Sequence, residues 1–168
     1  RFNLDWHNST IWGGKNRPDS KIGYSQLSAS GGHTGSSRYS PIRRWQAPQS
    51  GKVSVTGELD HPSPIGDGVR ARIISSNELR GKWIVHQSKL KTLCGEFKVE
   101  KGDFIDLAVD SQGNVNNDTF TWTVTVSLTD KEGLTQTWNS NAEFVGPQSD
   151  PNQKLFHLPR NLGRAWEI

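Results

Sequence analysis

Residues 119–128 read Thr-Phe-Thr-Trp-Thr-Val-Thr-Val-Ser-Leu, and this stretch restricts the fold most tightly. Phe120, Trp122, Val124, Val126 and Leu128 fall on one side of an extended chain. Thr119, Thr121, Thr123, Thr125 and Ser127 fall on the other. Successive side chains of a strand leave opposite faces of the pleat, so alternation with a period of two marks a half-buried β-strand. Its apolar face needs a second layer to cover it, which means a sandwich or a barrel.

The same alternation recurs along the chain. Val53, Val55, Gly57 and Leu59 point inward, against Ser54, Thr56, Glu58 and Asp60. Val69, Ala71 and Ile73 oppose Arg70 and Arg72; Trp83 and Val85 oppose Lys82, Ile84 and His86; Ile105, Leu107 and Val109 oppose Asp106. A short strand over Ile42 to Trp45 is stopped by Ala47-Pro48, and Leu90 to Val99 reads as an edge strand. About eight strands at roughly ten-residue spacing, with turn signals between them, predict an all-β fold: an antiparallel β-sandwich of jelly-roll type. Residues 1–40 are read as an irregular arm packed on the sandwich, with Ile22 to Ala29 the one strand candidate, and 41–130 as the core. Residues 131–168 form a tail, with a short helix expected over 158–168 that could open the next domain of a parent protein.

Composition narrows the function classes. With 32% hydrophobic residues, 17 Gly and 8 Pro, the chain of 168 residues suits a loop-rich β domain. The formal charge of +3 leaves room for an anionic partner, but no Lys/Arg run exceeds two residues, so nucleic acid is disfavoured. Cys94 is the single cysteine; it is expected to be a buried structural thiol, and an internal disulfide, a cysteine zinc cluster and a Cys-x-x-Cys-His haem attachment are all excluded. No apolar run approaches the ~18 residues of a membrane span. Because the chain opens on Arg1, it is read as a segment of a longer protein.

Several ordered short motifs carry a resemblance. Gly31-Gly32-His33, Arg43-Arg44-Trp45-Gln46-Ala47-Pro48, Gly51 to Gly57, Gly66-Asp67-Gly68-Val69-Arg70 and Gly102-Asp103 through Trp122 resemble a β-sandwich module embedded in large planctomycete proteins that also carry cytochrome-like domains. More loosely, the chain is similar to jelly-roll carbohydrate-binding modules attached to polysaccharide-degrading enzymes. The resemblance spans residues 20 to 128. It implies a non-catalytic, extracellular or periplasmic accessory domain that binds polysaccharide, with the parent protein's other domains as neighbours. As an isolated domain it is expected to be a monomer.

The candidate ligand-binding residues are cations, imidazoles and indoles. Arg43, Arg70, Arg72, Lys82 and His86 are assigned to outward strand positions, where pairing would line them up as a basic stripe. A guanidinium can fork two N–H donors onto a carboxylate or sulfate, which suits an acidic or sulfated polysaccharide. Against this, Arg70 and Arg72 could be neutralised by Glu58, Asp60 or Asp106 on the same face. Trp45, at a strand end, and Trp83, after a turn, are the indoles offered for stacking on sugar C–H faces, with core packing as the alternative. His33 and His61 sit in loops beside the stripe.

Asp67, Asp110, Asn117 and Asp118, with Asn114, could meet at one rim as hard oxygen ligands for a structural calcium. The alternative is that they make Asx-turn and strand-entry hydrogen bonds. No organic cofactor is expected. For an enzyme, Glu58 and Asp60 lie about 6.5–7 Å apart along one strand face, within the range for inverting glycosidases. A working acid would need burial to raise its pKa, which an outward position among hydroxyls does not offer. The function expected is therefore a non-catalytic carbohydrate-binding module. A docking domain of a larger redox protein comes second, and a polysaccharide lyase or hydrolase third.

Overall fold

The computed structural model describes residues 4–35, 38–146 and 165–167. In chain order the strands are β1 (Asp5–His7), β2 (Ile11–Gly13), β3 (Gln26–Ser28), β4 (Gly31–His33), β5 (Tyr39–Gln46), β6 (Gly51–His61) and β7 (Val69–Ser75). They continue with β8 (Glu78–Val85), β9 (Ser88–Val99), β10 (Phe104–Ser111), β11 (Thr119–Thr129), β12 (Thr135–Asn139) and β13 (Ala165–Glu167). One sheet runs β1-β2-β3-β4-β11-β6-β9, with β12 also on β11; the other runs β13-β5-β10-β7-β8. Within them, β4-β11-β6-β9 faces β5-β10-β7-β8, the strand order of an antiparallel jelly roll.

The alternation read from the sequence sets which side chains fill the space between the sheets. From the larger sheet come Val53, Val55, Leu59, Phe120, Trp122, Val124, Val126 and Leu128; from the smaller come Trp45, Val69, Ala71, Ile73, Ile105, Leu107 and Val109. Every one is buried. Gly57, opposite Val124, leaves room for the side chains around it: a Cβ there would stand 2.9 Å from Thr92 Oγ1. That hydroxyl accepts a 3.0 Å hydrogen bond from Trp122 Nε1, so the largest ring of β11 is buried with its donor satisfied.

Three expectations are corrected. The N-terminal arm is not irregular throughout, because β1 to β4 lengthen the larger sheet beyond β11. Within Ile22 to Ala29, only Gln26–Ser28 is strand. In the tail, residues 135–139 pair along β11 and 165–167 pair antiparallel with Tyr39–Pro41 of β5, where a helix was expected; the rest of 158–168 lies outside the described residues. The arm's two indoles anchor it. The Trp6 and Trp12 ring centroids are 5.1 Å apart, Trp6 meets Phe144 at 5.8 Å, and Trp12 Nε1 donates to the Val145 carbonyl at 3.0 Å.

Candidate functional site

The pairing of β7 with β8 and β10 sets the outer face of the smaller sheet. Arg70 lies across from Ile84 and Arg72 across from Lys82, while Asp110 of β10 lies across from Arg70. Arg70 Nε donates to Asp110 Oδ1 at 2.9 Å, and Arg72 Nη2 donates to Asp110 Oδ2. Asp110 is 3% exposed and so belongs to the sheet, with two arginines closing over it. The acid that neutralises this pair is therefore Asp110, whereas the sequence pointed to Glu58, Asp60 or Asp106. Arg70 spends one nitrogen on it and keeps a side chain 37% exposed. Lys82 and Ile84 are exposed beside it.

Arg44 is the cation that sequence reasoning missed on this face. It grips Asp106 through Nε at 2.5 Å and Nη2 at 2.6 Å, with its guanidinium 4.3 Å from the Phe104 ring centroid. Arg43, assigned outward from the sequence, points inward instead. Trp45 belongs to the core, and residues two apart on a strand share a face, so Arg43 must follow it inside. Arg43 is 5% exposed. Its Nη1 donates to the carbonyls of Ala29 at 3.2 Å and Ser140 at 2.8 Å, its Nη2 to that of Ser28 at 2.5 Å, and Phe144 lies against it. Burial pushes its pKa down to about 10, which still leaves it charged at neutral pH.

The indoles are corrected in the same direction. Trp45 is 2% exposed and packs edge-on against Trp138 at 5.2 Å, so it offers no platform to a sugar. Trp83 is half-buried, packed against the core with its ring 6.4 Å from Trp122. Tyr24 is an exposed aromatic whose ring lies 5.8 Å from His33.

His61, expected in a loop beside the stripe, instead ends β6 and is fully buried. Its Nε2 is 3.0 Å from the Asn117 carbonyl, and its Nδ1 lies 3.5 Å from the Gln87 backbone N–H. The first contact needs a donor and the second an acceptor, which makes Nε2 the protonated nitrogen. His86 stays exposed with its ring 5.7 Å from His61, and His33 Nδ1 sits 2.5 Å from the Thr34 carbonyl.

The four acidic and amide residues expected at one rim separate into two places. Asp110 is on the sheet face described above. Asp67 and Asp118 meet at the rim, where the loop after β6 faces the loop before β11. Asp118 is fully buried and accepts from Thr34 Oγ1 at 2.8 Å through Oδ2. Burial pushes its carboxyl up, the Thr34 hydroxyl pulls it back, the Asp67 charge pushes it further up, and the His33 and His61 charges draw it down, the balance lying above the usual value. Asp67 Oδ2 accepts from the Asn114 backbone at 3.1 Å. Asn117 turns the chain with φ at +63°, its side chain exposed. Among the described residues, no three His, Cys, Asp or Glu side chains converge as metal ligands.

Glu58 and Asp60 occupy the outer face of the larger sheet. Lys89 Nζ stands 3.0 Å from Glu58 Oε1 and 3.9 Å from Asp60 Oδ2, and the Glu58 side chain is 54% exposed. Neither is desolvated as a general acid would require. Cys94 is buried with Sγ 3.5 Å from the Arg80 carbonyl, and burial pushes its thiol up, away from nucleophilic character.

Neither a family model nor a curated protein matches the chain. Among solved structures, it is similar to a PA14 sugar-binding domain from an RTX adhesin, at 13% identity and a TM-score of 0.39. The match covers 59% of this chain and 50% of that one, so the chain spans about half the length of the structure it matches.

Proposed function

We propose that this domain is a non-catalytic carbohydrate-binding module for an acidic or sulfated polysaccharide, carried as an accessory part of a larger extracellular or periplasmic protein. The observation that carries the reading is the outer face of the smaller sheet. There Arg70, Arg72 and Lys82 set three cationic groups against the single carboxylate of Asp110. Arg70 engages Asp110 through Nε, which leaves its Nη edge to fork onto a carboxylate or sulfate. Ile84, 50% exposed and across the strand from Arg70, gives the C–H face of a sugar an apolar surface. With Trp45 buried, stacking falls to groups other than that indole. Glu58, exposed, and Asp60, half-buried, both face Lys89, which supports a binding role over a hydrolytic one.

Micromolar to millimolar affinity is expected, about −4 to −8 kcal/mol. Affinity electrophoresis against neutral, uronate and sulfated polysaccharides tests the reading. Retardation by the charged members supports it, and free migration through all of them overturns it. A second reading, docking against another domain of the parent protein, is favoured by Leu79 and Phe104, which are exposed on the same sheet face at 57% and 38%. Free migration, combined with protection of this face in the parent protein, is the result that would select it.

A further inference from the structure

We propose that Asp67 and Asp118 hold a divalent cation, calcium by the chemistry of the donors, at the rim between the 62–68 and 112–118 loops. The inference rests on oxygens that lack a donor. Asp118 is fully buried; Oδ2 accepts from Thr34 while Oδ1, also buried, has no hydrogen-bond partner. Asp67 repeats the pattern, with Oδ2 accepting from the Asn114 backbone and a buried Oδ1 that has no partner. The two loops press together around these atoms. Gly66 has φ of +98°, and a Cβ built on it would stand 2.4 Å from the Asn116 carbonyl oxygen and 3.7 Å from Asp118 Oδ1. The bare glycine thus lets the Asn116 carbonyl and the Asp118 carboxylate, both acceptors, close onto the loop that carries Asp67, whose charge acts on Asp118.

Burying ionised oxygens without donors is costly, so the cluster needs a positive charge among them. His33 and His61 act on Asp118 through space, yet neither ring donates to the orphaned oxygens. His61 places its Nε2 proton on the Asn117 carbonyl and accepts at Nδ1 from Gln87, and His33 Nδ1 is taken up by the Thr34 carbonyl. With no imidazole or thiolate offered, zinc and copper are disfavoured, while carboxylate and carbonyl oxygens in a loop suit calcium. Carbonyls and water complete such a shell, which is how two carboxylates suffice.

The test is calorimetric titration of chelator-treated protein with calcium chloride, paired with thermal melts, on the wild type, Asp67→Asn and Asp118→Asn. Glu58→Gln, on the outer face of the larger sheet, is the control. The expected result is saturable binding in the wild type and the control, a rise in Tm with calcium, and at least about tenfold weaker binding in both Asn variants. Asp67 is partly exposed, so its variant keeps the test readable if Asp118→Asn fails to fold. Absence of saturable heat and of any Tm change up to about 10 mM calcium overturns the proposal, since extracellular calcium modules bind at 10⁻⁴–10⁻³ M. An equal Tm rise from sodium chloride at matched ionic strength overturns it too. So does an Asp118→Asn variant more stable than the wild type and indifferent to calcium, because the two carboxylates would then be sharing a proton.

Discussion

Arg43 and Arg44 are adjacent, carry the same charge, and do opposite work. Arg44 clamps Asp106 on the surface, while Arg43 is buried and ties the carbonyls of Ser28, Ala29 and Ser140 together. The distinction was legible in principle: once Trp45 is taken as core, the parity of the strand sends Arg43 inward with it. Charge overrode parity in the sequence reading, because a buried arginine is rare unless partners are in place, and carbonyl partners leave no mark in a sequence. Replacing Arg43 with Leu should destabilise the domain by about 3 kcal/mol, since three carbonyls lose a charged donor. Urea denaturation measures this; a loss below about 1 kcal/mol would mean that water replaces the guanidinium. Cys94 gives a second check at this scale. Its buried thiol, held above the usual value, should react with an alkylating reagent only as fast as the domain opens. Immediate labelling of native protein would show β9 to be frayed at Cys94.

In β6, β7, β10 and β11 the alternation shows in the sequence which residues face inward. β11 is the clearest, with its five apolar residues inside and its hydroxyls outside, because both neighbours and both faces enforce one parity. The three-residue strands β1 to β4 were not readable as a sheet extension, since so few residues carry no period. What holds β4 in place is close approach: a Cβ on Gly31 would lie 2.0 Å from the Phe120 carbonyl, and one on Gly32 would lie 2.2 Å from that of Gln26. Gly31→Ala should therefore cost about 1–3 kcal/mol and expose amides of β4 to exchange, while amides at the centre of β6 stay protected. Uniform loss of protection across both sheets would show that β4 folds as one unit with the core. Trp122→Phe is a milder perturbation, expected to cost about 1–2 kcal/mol by leaving the buried Thr92 hydroxyl without its donor.

As a whole, the molecule places its apolar residues between two sheets and turns two unlike faces to water. The outer face of the larger sheet is hydroxyl-rich along β11, with Glu58 and Asp60 paired to Lys89; that of the smaller carries Arg44, Arg70, Arg72 and Lys82 around Asp106 and Asp110. The outward positions of Arg70, Arg72 and Lys82 are legible because they alternate with core residues, whereas Arg43, read into the same stripe, is buried. Its internal neutralisation by Asp110 was not, because the pairing of β10 with β7 is non-local. The rim was half legible: Asp67 and Asp118 were picked out by type, and the structure removes Asp110 from their company. An anionic ligand held by the exposed guanidinium of Arg70 should bind less tightly as salt shortens the range of its charge.

The most direct measurement is the affinity of wild-type protein and Arg70→Ala for a sulfated polysaccharide at about 0.05 M and about 0.5 M salt, with a melt of each protein alongside. Arg72 still covers Asp110 in the variant, so its Tm should stay near that of the wild type. The account predicts binding at low salt that falls on adding salt, and a variant that binds at least about tenfold more weakly, a difference of about 1.4 kcal/mol. Equal, salt-independent affinity in both proteins, with equal melts, would contradict it.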